Sequence, residues 1–74
     1  MNPENARDAF RAQLIRALEV YEIPVLQEAP YDIHVAPDYV IHIESHGVYK
    51  LWSAGKVVAP FDDLDELCIF ILRG

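Results

Sequence analysis

Histidine and acidic side chains of the kind that bind metals or move protons cluster in the middle of the chain. They are Asp32, His34, His42 and His46. On neighbouring strands such residues come within reach of one shared ion. The spacing, however, matches no zinc-ligand pattern, and a zinc site needs three or four ligands held by an outer shell of partners. We therefore expect surface histidines, with neither a metal site nor a cofactor.

No arrangement of catalytic residues accompanies these histidines. Ser45 and Ser53 lie in turn-like segments without the G-x-S-x-G context of a nucleophilic serine. There is no glycine-rich phosphate loop, and Cys68 falls on an apolar helical stripe, as a core residue does. Acid–base catalysis also needs a concave site, for which 74 residues leave little room. The sequence therefore predicts a protein that is not an enzyme.

Size and cysteine content narrow the class of protein further. A chain of 74 residues with 53% hydrophobic side chains is expected to form one domain, residues 1–74, around one core. A single cysteine cannot form an internal disulfide, and no charged and apolar leader opens the chain. We therefore expect a cytoplasmic location and no association with membranes.

The net charge of −6 is unevenly distributed along the chain. Residues 1–18 carry three arginines against two acids, whereas residues 19–74 carry ten acids against three basic residues. A field of that sign repels phosphate backbones and anionic lipids and attracts basic protein surfaces. This argues against direct nucleic-acid binding and in favour of a protein partner with a basic surface.

Two helices are predicted, over residues 3–22 and 62–73. In the first, Asn2 acts as N-cap and Pro3 takes the first helical position, while Pro24 ends the helix at or before Ile23. Asp8 and Arg11 are spaced to pair on its polar face. The second helix begins with an acidic cluster, and Asp62 is expected to be its N-cap. The acidic cluster consists of Asp62, Asp63, Asp65 and Glu66.

Between the helices, residues 31–59 are predicted to form an antiparallel meander. Three turn signals divide the segment, at residues 36–38, 45–47 and 53–55. Directly paired residues share a face, so a turn's length must keep apolar residues together. A three-residue turn at 45–47 pairs Ile43 with Tyr49, whereas a two-residue turn would pair Ile43 with Lys50. Before the meander, residues 25–28 form either a short edge strand or an extended linker. After it, Pro60 is expected to end the sheet.

This register divides the meander into an apolar inner face and an amphipathic outer face. The predicted outer face consists of Asp32, His34, Val40, His42, Lys50 and Trp52. A three-residue last turn would place Lys56 opposite Trp52. Trp52 is then an exposed residue of the kind enriched at binding hot spots, or it caps the edge of the sheet, or it is covered by a segment such as 25–28.

The predicted fold is a two-layer α+β domain of α-β-β-β-α order, with both helices on one face of the meander. Whether residues 25–28 add a further short strand is not decided by the sequence. The order and length resemble the double-stranded-RNA-binding domain, in topology only. That family places a lysine-rich start of its last helix on phosphates. Here the acidic cluster takes those positions, which contradicts RNA binding.

The function predicted from these features is non-catalytic protein binding, with partner contacts made by the outer face and the acidic cluster. Small size, acidity and the lack of motifs resemble phage-encoded inhibitors such as anti-CRISPR proteins, which suggests blocking of a surface that handles nucleic acid. The alternative is a self-associating scaffold or homodimer. It would use the apolar stretch 67–72 and an open sheet edge at 56–59.

Overall fold

The computed structural model describes residues 3–73 of the chain. A long helix comes first, five strands follow, and a shorter helix comes last. The elements are α1 (Pro3–Val20), β1 (Val25–Glu28), β2 (Asp32–Val35), β3 (Tyr39–Ile43), β4 (Tyr49–Ser53), β5 (Lys56–Phe61) and α2 (Leu64–Arg73). The predicted N-cap Asn2 lies outside the described residues.

The five strands form one antiparallel sheet in the order β1-β2-β3-β4-β5. Both helices pack on one face, which confirms the two-layer α+β architecture. The core lies between the layers and is built from apolar side chains, together with Cys68 and with Tyr49, whose hydroxyl donates to the Phe10 carbonyl at 3.2 Å. Its buried residues are Leu14, Leu18, Ile23, Ile33, Val35, Ile41, Ile43, Tyr49, Leu51, Leu67, Cys68 and Ile71.

The register of the two central hairpins is as predicted from face consistency. Ile43 lies opposite Tyr49, and the Glu44 amide donates to the Val48 carbonyl at 2.9 Å, which leaves three residues in the turn. Gly47 closes this turn with φ of +84°, a left-handed conformation that suits a residue without a Cβ. Ile33 lies opposite Ile41 in the preceding hairpin, so the apolar residues of three strands share the inner face.

The prediction for the last hairpin was wrong. Ala54 and Gly55 both have positive φ, of 53° and 77°, and form a two-residue turn whose twist matches that of the strands. Ser53 therefore pairs with Lys56, and Val57 rather than Lys56 lies opposite Trp52. A register shift follows directly, so that Ala59 again faces Leu51 on the inner side.

The sheet is longer at both ends than the predicted meander of residues 31–59. Residues 25–28 are a strand and not a linker, although all four are exposed, and a register shift interrupts their pairing with β2. Pro60 lies inside β5 opposite Lys50 and does not end the sheet. An edge strand accommodates proline because one side of the strand has no ladder to donate to.

Helix α1 ends two residues earlier than predicted, in a Schellman motif. The Ile23 amide donates to the Leu18 carbonyl at 2.9 Å and the Glu22 amide to the Glu19 carbonyl at 3.1 Å. Glu22 occupies the left-handed position with φ of +56°, where glycine is the usual residue. Ile23 and Leu18 are both buried, which is the apolar contact typical of this motif.

Helix α2 begins at Leu64, and its N-cap is Asp63 rather than the predicted Asp62. Asp63 Oδ1 accepts hydrogen bonds from the amides of Asp65 at 2.8 Å and Glu66 at 3.2 Å. These are the second and third helical residues, whose amides have no partner within the helix. Asp62 therefore belongs to the connection from β5.

Polar contacts of α1 attach it to the sheet. The Arg7 guanidinium donates to the Ile43 carbonyl at 2.8 and 3.2 Å and lies 4.0 Å from the centre of the Tyr31 ring. Arg11 pairs with Glu28 of β1 at 2.8 Å, so the expected pair between Asp8 and Arg11 is not the contact that this arginine makes.

On α2, Phe70 packs against Phe61 of β5. Within residues 3–73, neither helix is long and apolar enough to cross a membrane.

Candidate functional site

The six residues predicted for the outer face border one groove on the side of the sheet away from the helices. Their pairing produces two cross-strand rows, Asp32–His42–Lys50 and His34–Val40–Trp52. The outer-face groove, as we call this concavity, has a volume of about 510 Å³. Asp38, Ala54 and Gly55 complete its lining.

Trp52 ends the row His34–Val40–Trp52 of the outer-face groove and is half-buried. It is flanked across the strands by Val40 on β3 and by Val57 on β5, and Val57 is 49% exposed. The alternative that residues 25–28 cover Trp52 was wrong, because this segment extends the sheet beside β2. The tryptophan therefore contributes an aromatic surface to the groove.

Two histidine–aspartate pairs lie in the groove beside Trp52. His42 Nδ1 is 2.7 Å from Asp32 Oδ1 across β2 and β3, and His34 Nε2 is 3.4 Å from Asp38 Oδ1. An ionised carboxylate can only accept, so the ring nitrogen donates in each pair. Both carboxylates are at least half exposed, with 52% of the Asp32 side chain and 78% of the Asp38 side chain accessible. The pairs therefore orient carboxylates that stay open to solvent.

Lys50 is the basic residue of the groove lining, and it is already paired. Its ammonium group lies 3.2 Å from Glu44 Oε1 on the same face of the sheet. The hydrogen bond from Lys50, followed by its positive charge, lowers the pKa of the Glu44 carboxyl. Within residues 3–73, neither Asp32 nor Asp38 forms an ion pair with a lysine or an arginine.

Metal binding has no support in the described part of the chain. No group of three or more His, Cys, Asp or Glu side chains in residues 3–73 is arranged to hold an ion. The two histidine–aspartate pairs do not merge into one set of ligands, and His46 lies in the β3–β4 turn outside the groove lining.

Cys68 is unsuited to nucleophilic chemistry. The residue is fully buried in the core, and burial, followed by the negative charge of Asp65, raises the pKa of its thiol to about 11. The thiolate is the reactive form of cysteine, so at neutral pH this side chain acts as a small apolar residue.

The acidic cluster does not lie at the groove. None of its residues lines that concavity; they precede or begin α2 in the helical layer. Asp63 caps the helix, and Asp65 Oδ1 accepts a hydrogen bond from the Tyr21 hydroxyl at 2.9 Å. That hydrogen bond is the main cause of the raised pKa of Tyr21. The two predicted sets of partner-binding residues thus form separate surfaces, and part of the acidic cluster has a structural role.

Two residues of the groove region were missed from the sequence. Asp38 was assigned to a turn and to the general acidic field but not to the outer face, although its spacing of four residues from His34 could have suggested a pair. Val57 was missed because the last turn was taken to have three residues, whereas an Ala-Gly pair also suits a two-residue turn.

Two features, the sheet and the start of α2, limit how far the chain resembles the double-stranded-RNA-binding domain. Five strands separate the helices here, and α2 begins with Asp65 and Glu66 in its first turn, where a phosphate-binding helix would carry lysines. Comparisons of the chain with protein-family models, with curated proteins and with solved structures found no match.

Proposed function

We propose that this protein binds a basic surface of another protein through the outer-face groove and acts without catalysis. One observation carries the proposal: Trp52 lies in a groove that also contains the exposed carboxylates of Asp32 and Asp38. A large aromatic residue surrounded by polar groups is the usual composition of a protein-binding hot spot.

The placement of the basic residues supports a basic partner. Arg7 and Arg11 belong to α1 and are engaged by the Ile43 carbonyl and by Glu28. On the outer face, Lys50 is neutralised by Glu44. A partner that approaches the groove therefore meets exposed carboxylates first, and the net charge of −6 accelerates the encounter with a positively charged surface.

The sharper form of this proposal is inhibition. Basic protein surfaces are often those that hold nucleic acid, because phosphate binding requires lysine and arginine. A small acidic domain seated on such a surface blocks it, as phage-encoded inhibitors of the anti-CRISPR kind do. Nucleic acid and this protein would then compete for the same partner.

The test is affinity capture from a lysate with matched variants. Wild type is compared with an Asp32→Asn/Asp38→Asn double variant and with a Glu19→Gln/Glu22→Gln control, which removes the same charge from exposed sites on and just beyond α1. We expect wild type and the control to capture basic proteins, and the groove variant to capture none. Added salt and competing nucleic acid should each abolish the capture by wild type. Equal capture by all three proteins rejects the groove as the docking surface.

Self-association is a second candidate, favoured by the outward flank of α2. Ile69, Phe70 and Leu72 are 41%, 37% and 57% exposed, and β5 beside them is a sheet edge. Light scattering over a range of micromolar concentrations tests this candidate, with Leu72→Lys as the disrupting variant. A monomer throughout the range rejects self-association and leaves the groove proposal intact.

A further inference from the structure

We propose that the outer-face groove is a receptor for an arginine side chain of the partner, whose guanidinium stacks on Trp52 and pairs with Asp32 and Asp38. This inference rests on the proposed function and specifies its chemistry. It follows from the aromatic surface, the oriented carboxylates and the lack of a free cation among the residues that line the groove.

The aromatic surface suits a flat cation. Tryptophan is the side chain that attracts cations most strongly over its ring, and the planar guanidinium stacks on such a ring better than a compact ammonium does. Val40 and Val57 lie on either side of Trp52, on β3 and β5, and the indole is already half-buried in the groove lining. A partly buried aromatic side chain loses less freedom on binding than one that is free in solvent.

The carboxylates supply acceptors for the fork of N–H groups. In both aspartates the contact with histidine uses Oδ1, and an ionised carboxylate has two oxygens with about four acceptor positions. Oδ2 of Asp32 and of Asp38 can thus accept from a guanidinium while the histidines keep each carboxylate oriented. Hydrogen bonds between two charged groups of this kind are shorter and stronger than those between neutral groups.

Charge within the groove selects a cation over an anion. Lys50 is the basic residue of the lining, and Glu44 holds it at 3.2 Å. An anionic ligand would face two carboxylates and an already neutralised lysine. The volume of about 510 Å³ accommodates a long side chain, while the chain that carries it passes over the open rim.

The experiment uses the full chain and a blocked Gly-Gly-Arg-Gly-Gly peptide as the probe. Because the chain contains a single tryptophan, both indole fluorescence and the indole N–H resonance report on the groove alone. We expect saturable changes with a dissociation constant on the order of 1 mM. Matched peptides carry lysine or the neutral isostere citrulline in place of arginine, and the citrulline peptide should bind roughly tenfold more weakly because it lacks the charge.

Variants at the groove test the contribution of the two carboxylates. Asp32→Asn and Asp38→Asn keep the shape of exposed side chains, so the fold should persist, and each should weaken arginine binding by about threefold to fivefold. Glu19→Gln, which removes a charge far from the groove in sequence and layer, should leave it unchanged. Equal binding of the arginine and citrulline peptides, or no effect of either aspartate variant, overturns the inference.

The outcomes also distinguish this inference from the proposed function. In one outcome, capture of a basic partner requires Asp32 and Asp38, but the arginine peptide produces no saturable change. This result rejects the arginine receptor and leaves the proposed function standing. In the opposite outcome, the arginine peptide binds saturably and its binding depends on both aspartates, but no basic partner is captured. This result supports the arginine receptor and counts against the proposed function.

Discussion

Trp52 and Val57 lie directly opposite each other on β4 and β5. The two-residue turn at Ala54-Gly55 sets this pairing, and the register shift that follows returns the next residues of β5 to the inner face. The pair extends the apolar part of the outer face toward the edge of the sheet. On the outer face, the Trp52–Val57 pair thus lies toward the edge strand β5, and the histidine–aspartate pairs lie toward β2.

Neighbouring residues of β4 should respond very differently to truncation. Leu51 is fully buried against the helices, so Leu51→Ala should lower the free energy of unfolding by about 3 kcal/mol through lost burial and a cavity. Trp52→Ala removes a half-buried residue of the other face and should cost about 1 kcal/mol. Urea unfolding followed by circular dichroism measures both. A Trp52→Ala variant as unstable as Leu51→Ala would mean that Trp52 serves the fold rather than binding.

The β4–β5 turn contains a residue poorly suited to its conformation. Ala54 has φ of 53°, which asparagine and glycine adopt at lower cost than alanine. Ala54→Asn should therefore stabilise the protein by about 0.5–1 kcal/mol, whereas Gly55→Ala at φ of 77° should destabilise it by about 1 kcal/mol. Thermal unfolding compares the two variants. Stabilisation by Gly55→Ala would show that the turn does not have this geometry.

The C-terminal cap of α1 offers a further substitution. Glu22→Gly should stabilise the protein by about 0.5–1 kcal/mol, because glycine adopts the left-handed conformation of the Schellman motif without steric cost. Glu19→Gly, three residues earlier within the helix, is the control and should destabilise by about 1 kcal/mol. Chemical unfolding measures both, and equal effects of the two glycines would contradict the assigned end of α1.

The buried thiol predicts a loss of stability at high pH. Folding raises the pKa of Cys68 from about 9.0 to about 11, so between these values the unfolded chain loses a proton that the folded protein keeps. The contribution of Cys68 to stability is complete below pH 9 and falls as the pH rises toward 11. Cys68→Ala should flatten this part of the stability profile, measured by urea unfolding at several pH values, while Tyr49, whose pKa is also raised by burial, continues to titrate. A profile of unchanged slope would show that the thiol is not protected.

Face consistency was enough to predict most of the groove from the sequence. The turn at 45–47 could be assigned because the alternative would have paired Ile43 with Lys50. The placement of Lys50 and Trp52 on the outer face depends on that assignment. The same test could not decide the last turn, since either length leaves a lysine or a valine opposite Trp52 without burying a charge. Strand β1 has four exposed residues and hence no alternating pattern that identifies it.

The acidic cluster illustrates a second limit of the sequence. Four acids near one helix start predict both capping and partner docking, and the two roles differ only in which atoms are free. Asp63 is engaged locally, by the backbone amides of Asp65 and Glu66 that it caps. Asp65 is engaged by the Tyr21 hydroxyl, 44 residues away along the chain. That contact depends on how the end of α1 packs beside α2, so local spacing does not reveal it.

Chemical-shift mapping with an arginine-rich peptide tests the central claim most directly, because one spectrum reports on the outer-face groove and on the acidic cluster together. We predict saturable shifts centred on Trp52, Val40 and His34, with the amides of Asp65 and Glu66 unaffected. Shifts confined to the start of α2, with the Trp52 indole resonance unmoved at saturation, would contradict the assignment of the outer-face groove as the binding site.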